Sequence, residues 1–383
     1  MAKLQVTLAS FILTVFPRLA ARLNPITHVF NPDIVLPIQP LPHIYPDLDT
    51  PAATSIFSGI TTFARLSWVD CLSIANESDS SRHFDIDVGF LGVPFDTGTS
   101  YRPGARFGPS AIRAGSRRTA LAGGYNVPLS ANPFKSGLKI VDCGDVPLSP
   151  FDNRLALETI QDAYSILFQK ENNPWFISLG GDSTINLPIL RSIHKVYSSG
   201  VPLVHFGSRL DTWKPSSSRE VNHLSSLYRA AREGLIKNGS SIHLAHRTAL
   251  FSPEDYHQDE QLGFSRIEAR DIDKIGVTGI ISKIRQTIEG AGPIYLSISI
   301  DALDPAHAPA TSNPETGGWT LRELRSILKG LDGVPILSAS ITEVAPAYDT
   351  SAEVTGIAAA DIIFDILTLM TKTPITTVDS SSD

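Results

Sequence analysis

The sequence predicts an α/β protein built on one mostly parallel sheet with helices on both faces. Two observations carry that reading. Between about residues 84 and 370, short apolar runs alternate with longer amphipathic ones, the pattern of repeated strand–helix crossovers. The chain is also large enough for a sizeable core, with 383 residues of which 42% are hydrophobic.

The elements follow in order. Asp85 to Val93 reads as a first buried strand, followed by a Gly/Pro/Thr loop to Pro109 and a helical pattern from Ser110. Strands are expected over 138–142, 175–179, 201–206, 241–246, 294–300 and 336–342. Helices are expected between and after them, over 153–170, 187–196, 224–236, 277–288, 320–331 and 352–370. Functional groups in such sheets sit at the carboxyl ends of the strands. No internal repeat is present. The domain spans 84–370, and the Ser/Thr-rich tail over 371–383 is expected to be disordered.

Ahead of the domain, Lys3 is followed by a mostly apolar run to Phe16 and then by Arg18 and Arg22. Residues 1–22 therefore resemble a secretory signal peptide. The first acidic residue is Asp33, so an acid-free mitochondrial presequence is the competing reading. Asn-x-Ser sequons at Asn76 and Asn238 agree with the secretory route. Residues 23–83 read as an arm, Pro-rich to about residue 50. A helix is expected over 54–72, from the spacing of Ile56, Ile60, Phe63, Leu66 and Val69.

Net charge is -7 with a pI near 5.8, which argues against a nucleic-acid partner. No apolar run of membrane-spanning length is read, so no membrane span is expected. Cys71 and Cys143 are the only cysteines, so neither a disulfide framework nor a Cys-rich metal site can be built; their spacing favours free thiols over a single bridge.

Five separated motifs carry the chemistry. They are Gly92 to Pro109, Leu179-Gly-Gly-Asp-Ser183, His205-Phe-Gly-Ser-Arg-Leu-Asp211, Ser297-Ile-Ser-Ile-Asp-Ala-Leu-Asp-Pro305 and Glu343-Val-Ala-Pro-Ala-Tyr-Asp349. The glycine-rich loop has the spacing of neither a P-loop nor a dinucleotide fingerprint. Together, and in this order, the motifs resemble those of the ureohydrolases (arginases, agmatinases and guanidinobutyrases), and most of all agmatinases. The resemblance implies a three-layer α/β/α sandwich and a trimeric or hexameric assembly. It also implies a pair of Mn2+ ions whose bridging hydroxide attacks a guanidinium carbon to release urea.

The same resemblance shows departures. Where the family places six metal ligands, this chain has Ser183, Gly207, Arg209, Asp211, Ser299 and Asp301. Only Asp211 and Asp301 keep a ligand; Ser183, Gly207, Arg209 and Ser299 do not. One carboxylate per ion cannot hold a hard divalent cation against water. Arg209 adds a permanent positive charge that can itself pair with Asp211 and Asp301. No metal cofactor is expected, and Mn2+ enters only if His223, Asp211 and Asp301 rebuild a single site. Water needs a metal to supply hydroxide at neutral pH, so ordinary agmatinase activity is not expected.

Glu343 aligns with the residue that grips the substrate guanidinium, and His223 with the family's proton shuttle. The bland reading of both is inherited scaffolding, and of Asp211 and Asp301 a structural ion pair with Arg209. Asp182 and Asp304 are expected to brace loops; His246, His257 and His307 are expected to face solvent or cap. The leading functional reading is a metal-independent protein that binds or transforms a guanidine- or amine-bearing small molecule, with specialised metabolism as its setting. It would grip that molecule through Glu343, Arg209, Asp211 and Asp301 and use His223 as acid or base. The alternatives are a non-catalytic partner of an active agmatinase and a residual C–N hydrolase holding one metal.

Overall fold

The computed structural model describes residues 59–72, 86–119, 123–169, 174–217 and 220–375. Among these, eight strands form one sheet. They are β1 (Val88–Val93), β2 (Ile140–Asp145), β3 (Trp175–Gly180), β4 (Leu203–Phe206), β5 (Ser241–His246), β6 (Phe264–Glu268), β7 (Ile294–Ser299) and β8 (Ile336–Thr342). Their order is β2-β1-β3-β8-β7-β4-β5-β6, and every pairing is parallel.

Among the described residues eight α-helices accompany them: α1 (Gly108–Gly115), α2 (Asn153–Phe168), α3 (Asn186–His194), α4 (Ser226–Arg232), α5 (Glu254–Gln261), α6 (Ile272–Ile288), α7 (Leu321–Lys329) and α8 (Val354–Lys372). Successive strand residues point to opposite faces, so the sheet buries two separate layers of side chains. Val88, Phe90, Ile298 and Ile341 pack with Ile112 of α1 and with residues of α6, α7 and α8. Leu91, Val93, Phe176 and Leu203 pack with residues of α2, α3 and α4. This is the expected three-layer α/β/α sandwich. The six inner strands are buried along their whole length, whereas edge strands β2 and β6 are partly exposed.

Several expectations are corrected. The described part of the 54–72 segment is no helix; it forms only a short 3-10 turn at Phe63–Arg65, and Ala64 and Arg65 have positive φ. The apolar spacing there reflects burial of Phe63, not helical periodicity. Helix α5 and edge strand β6 have no counterpart in the sequence reading. α5 is almost wholly polar and β6 buries only Phe264 and Ile267 among partly exposed polar residues, so neither carries a strong apolar period. α8 runs through Lys372, so Thr371 does not begin the tail. α8 is also long and apolar enough to cross a membrane, but most of it is buried between the sheet and its neighbours, as a core helix is. The leader over 1–22, the Pro-rich stretch to residue 50, Asn76 and residues 376–383 lie outside the described residues. Asn238 is exposed.

Cys71 and Cys143 form a disulfide, which the sequence reading disfavoured. Spacing could not show it, because a tertiary contact makes it. Trp68 pairs in parallel with Asp142 on the edge of β2, which draws the following residues alongside Cys143. Asp142 is the anchor of this docking. Its carboxylate accepts hydrogen bonds from Arg113 Nε and Nη2 at 2.9 Å each and from the Phe63 amide at 2.7 Å. The bridge links residues 72 apart in sequence. Cys71→Ala or Cys143→Ala is therefore expected to lower unfolding stability by about 2–4 kcal/mol, measured by urea denaturation without reductant.

Candidate functional site

The motifs meet at the carboxyl ends of the central strands. β3 delivers Gly181, Asp182 and Ser183; β4 delivers Gly207, Arg209 and Asp211; β7 delivers Ser299 and Asp301; β8 delivers Glu343. The loop after β1 lies over them, and the backbone amide of His223 donates to the carbonyl of Gly98 in it. Gly181 is required here: a Cβ at that position would collide with the backbone of Phe95. Asp182 braces the loop as expected, accepting from the Gly98 and Thr184 amides at 2.9 Å each. Asp304 likewise accepts from the amides of Ala306, Gly317 and Gly318.

All the candidate residues are brought together, and Arg209 is at their centre. Its Nη1 lies 2.8 Å from Asp301 Oδ2, its Nε 3.5 Å from Asp211 Oδ1 and its Nη2 3.7 Å from Glu343 Oε1. Arg209 is 6% exposed and the three carboxylates are 2% or less, so the cluster is shielded from water. Burial disfavours the Arg209 cation, but Asp301, Asp211 and Glu343 outweigh it and raise its pKa. Burial would raise Asp301; the adjacent Arg209 and the Ser208 amide, which donates at 3.0 Å, bring it below the usual carboxylate range. Asp211 is farther from the guanidinium, and burial prevails there, pushing its pKa up to about 6. Burial and the neighbouring Glu343 push Asp182 up to about 7.

Glu343 and Asp211 share a second feature. Both have positive φ, 65° and 56°, a left-handed conformation that costs a non-glycine residue energy and recurs at functional positions. Glu343 Oε1 accepts from the Ser183 amide at 2.9 Å and from its hydroxyl at 3.1 Å. Glu343 Oε2 is buried without a hydrogen bond.

His223 connects this carboxylate to the surface. Its Nδ1 is 3.5 Å from Glu343 Oε1. Its Nε2 is 2.9 Å from the hydroxyl of exposed Ser100 and 3.1 Å from that residue's amide nitrogen. These contacts make opposing demands. The amide needs a lone pair on a neutral ring, whereas the hydroxyl can accept from a protonated one. Burial opposes the charge, and Glu343 overcomes it, so the His223 pKa is raised. Ser100 can serve either protonation state.

Sequence reasoning missed three parts of the surroundings. His205 and His243 share a hydrogen bond between Nδ1 atoms 2.9 Å apart, and His243 Nε2 lies 3.2 Å from Asp259 Oδ1. Asp259 is in α5, so the missing helix hid the network. Burial and the neighbouring His243 hold His205 well below the usual histidine range. Arg247 donates to the carbonyls of Asp301 at 2.8 Å, Leu303 at 3.1 Å and Glu315 at 2.6 Å, tying the strand ends to the 313–318 run. No signal in the sequence marks it, because Arg247 and Glu315 are 68 residues apart. His246 was expected at the surface but is buried, 3.2 Å from the Tyr256 hydroxyl. Burial and His243 lower its pKa to about 4. His257 and His307 are exposed, as expected. Among the described residues, no three His, Cys, Asp or Glu side chains are grouped so that they could hold a metal ion.

The arginase family model matches residues 86–368, which takes in every element of this site. The chain belongs to the arginase family. It is 52% identical over 345 residues to "Putative agmatinase 1" of Schizosaccharomyces pombe, covering 84% of this chain and 85% of that one. It is 33% identical to a guanidinobutyrase of Pseudomonas aeruginosa, covering 82% of this chain and 93% of the other. Among solved structures, a hypothetical agmatinase of Burkholderia thailandensis superposes with a TM-score of 0.73 at 32% identity, covering 83% of this chain and 92% of that one. The proclavaminate amidino hydrolase of Streptomyces clavuligerus gives 0.74 at 30% identity, covering 83% and 99%. As an arginase-family member this chain is agmatinase-like, and its sheet is the family's sheet.

Two outcomes are expected of the cluster. Arg209→Met strands buried carboxylates, so it should lower stability by about 3–5 kcal/mol, and the added change Asp301→Asn should recover part of that loss. The raised His223 pKa stabilises the fold fully below the ordinary histidine pKa of about 6.5, and the benefit is lost as pH rises through the folded value. The melting-temperature gap between wild type and His223→Gln should therefore be widest near pH 6 and narrow toward pH 8.

Proposed function

We propose that this arginase-family chain has exchanged the dimetal centre for a fixed internal cation. On this reading it serves as a metal-independent binding site for a guanidine- or amine-bearing small molecule. The observation that carries the reading is the placement of the Arg209 guanidinium against Asp301 at 2.8 Å and Asp211 at 3.5 Å, the two carboxylates left at the family's ligand positions. A guanidinium there repels divalent ions and uses the oxygens that would ligate them. The other positions agree. Ser183 donates to Glu343, so its hydroxyl already has a task. A Cβ at Gly207 would lie 3.0 Å from His205 Cε1, so the imidazole crowds the space a ligating side chain would need. Ser299 is buried beside Asp301 and offers no carboxylate. The residues present do not fit a pair of Mn2+ ions.

What is left suits an organic cation. Glu343 is held loosely by Arg209, at 3.7 Å, and its Oε2 is an unused acceptor. A buried carboxylate oxygen without a donor is costly, and a ligand N–H would satisfy it. Three carboxylates face one arginine and one histidine, so the site's own cations do not exceed its anions even with His223 protonated. His223 lies between Glu343 and the surface hydroxyl of Ser100, the geometry for carrying a proton to or from a bound ligand.

Purified protein loaded with Mn2+ and desalted should retain far less than one ion per chain and release no urea from agmatine. Two ions per chain with urea released would overturn the proposal. Calorimetry with agmatine and with guanidinium compounds tests the binding half. Failure of every guanidine and amine to bind, with no metal retained, would favour the non-catalytic partner of an active agmatinase.

A further inference from the structure

We propose that Asn238 is an N-glycosylation site, its carboxamide nitrogen carrying an oligosaccharide that the chain acquires in an oxidising secretory compartment. The inference is independent of the binding reading above.

Three observations from different parts of the molecule meet here. The first is the acceptor triplet Asn238-Gly239-Ser240. It forms the turn between Ile236, which pairs with Val201, and the start of β5 at Ser241. The Gly239 amide donates to the Gly263 carbonyl at 3.0 Å and the Ser240 amide to the Lys237 carbonyl at 3.3 Å, so the backbone of the turn is held. Gly239 has a φ of 74°, which a glycine adopts without strain. Asn238 itself is exposed. Gly263 leaves room for its side chain, because a Cβ there would collide with Asn238 Oδ1. Among the described residues no hydrogen bond engages the Asn238 carboxamide or the Ser240 hydroxyl, the two groups by which such a triplet is recognised.

The second observation is the Cys71–Cys143 disulfide. It takes up both cysteines of the chain and leaves no free thiol. The bridge is buried and sits on edge strand β2, away from the strand ends that form the site, so its task is structural. Bridges of this kind persist in secretory and extracellular surroundings and are rare in a reducing cytosol. The third is the leader, in which Lys3, the apolar run to Phe16, Arg18 and Arg22 resemble a secretory signal peptide. The compartment such a leader reaches is the one in which disulfides form and Asn-x-Ser triplets are glycosylated.

The fold accommodates a sugar at this place. All strands of the sheet are parallel, so their amino ends share one end of it, and the site occupies the other. Asn238 precedes the amino end of β5, about 20 Å along the strand from the site's end of the sheet. A bulky hydrophilic group there stands clear of the cleft.

In the transfer, Asn238 Nδ2 bonds to the anomeric carbon of an oligosaccharide carried on a lipid diphosphate. The anomeric C–O bond breaks, the lipid diphosphate leaves with the electron pair, and one Nδ2 proton passes to a base of the transferase. This chain supplies the acceptor alone.

The test expresses the full chain with its own leader in a eukaryotic host and reads intact mass before and after peptide-N-glycosidase. Wild type and Asn76→Gln should both lose mass, and the released peptide should carry a carboxylate at position 238. Asn238→Gln and Ser240→Ala should each abolish the loss that Asn238 contributes, whereas Ser240→Thr, which keeps a hydroxyl, should retain it. Ser240→Ala leaves the Asn238 side chain in place, so agreement between the two variants separates loss of the acceptor from a folding defect. A shift confined to Asn76, or one unchanged in Ser240→Ala, would overturn the inference. So would an unmodified Asn238 in a chain whose Cys71 and Cys143 are free thiols, or in a chain recovered from mitochondria.

Discussion

A permanent positive charge buried among carboxylates is the constraint around which the centre of this protein is organised. Arg209 cannot shed its proton, and burial denies it water, so the strand ends must supply compensating anions. Asp301 does so closely, Asp211 at longer range and Glu343 loosely. Burial would raise all three; it prevails at Asp211, whereas Arg209 lowers Asp301 and His223 together with Arg209 lowers Glu343. Each of the three keeps one oxygen without a hydrogen bond, Asp301 Oδ2, Asp211 Oδ1 and Glu343 Oε2.

The backbone bears a cost for this arrangement. Asp211 and Glu343 both occupy left-handed φ, and each is the residue that turns a carboxylate inward just beyond a central strand. The six inner strands are buried and hydrogen-bonded on both sides, which makes them stiff enough to hold such conformations. Arg247 extends that stiffness outward by binding the carbonyls of Asp301 and Glu315. Beneath the site His205 and His243 share a hydrogen bond and His243 Nε2 lies beside Asp259, while His205 Nε2 and Asp259 Oδ2 are buried without a hydrogen bond. The imidazole of His205 crowds the position over Gly207. Several buried polar atoms of the cleft, among them Asp211 Oδ1, Ser299 Oγ and Glu343 Oε2, have no hydrogen-bond partner.

Much of this was legible in the linear chain, because the signals involved are local or motif-like. Alternating apolar runs announced a parallel sheet covered on both faces, and the carboxyl-end rule then placed Ser183, Arg209, Asp301 and Glu343 in one region. The identities at those positions, read against the family's pattern, already raised the prospect of an arginine against Asp211 and Asp301. Edge strand β6 and helix α5 escaped for a definable reason. An edge element with one wet face needs little apolar content, and α5 is held by Asp259 and Tyr256 rather than by a hydrophobic stripe.

What the sequence by itself determined is therefore the architecture and the chemical inventory of the site. Tertiary structure alone decided the pairings. The Cys71–Cys143 bridge depends on Trp68 adding to the edge of β2, and the burial of His246 depends on Tyr256 from α5. The reach of Ser100 to His223, and the stacking of Arg102 on Tyr101 and Tyr348, depend on how two distant loops close over the strand ends. Most join residues far apart in the chain, the exceptions being Tyr101 with Arg102 and His246 with Tyr256, ten residues on. The physical reason is common to all of them: propensity and periodicity report on neighbours a few residues away, whereas these contacts are set by where the packed layers place the ends of strands.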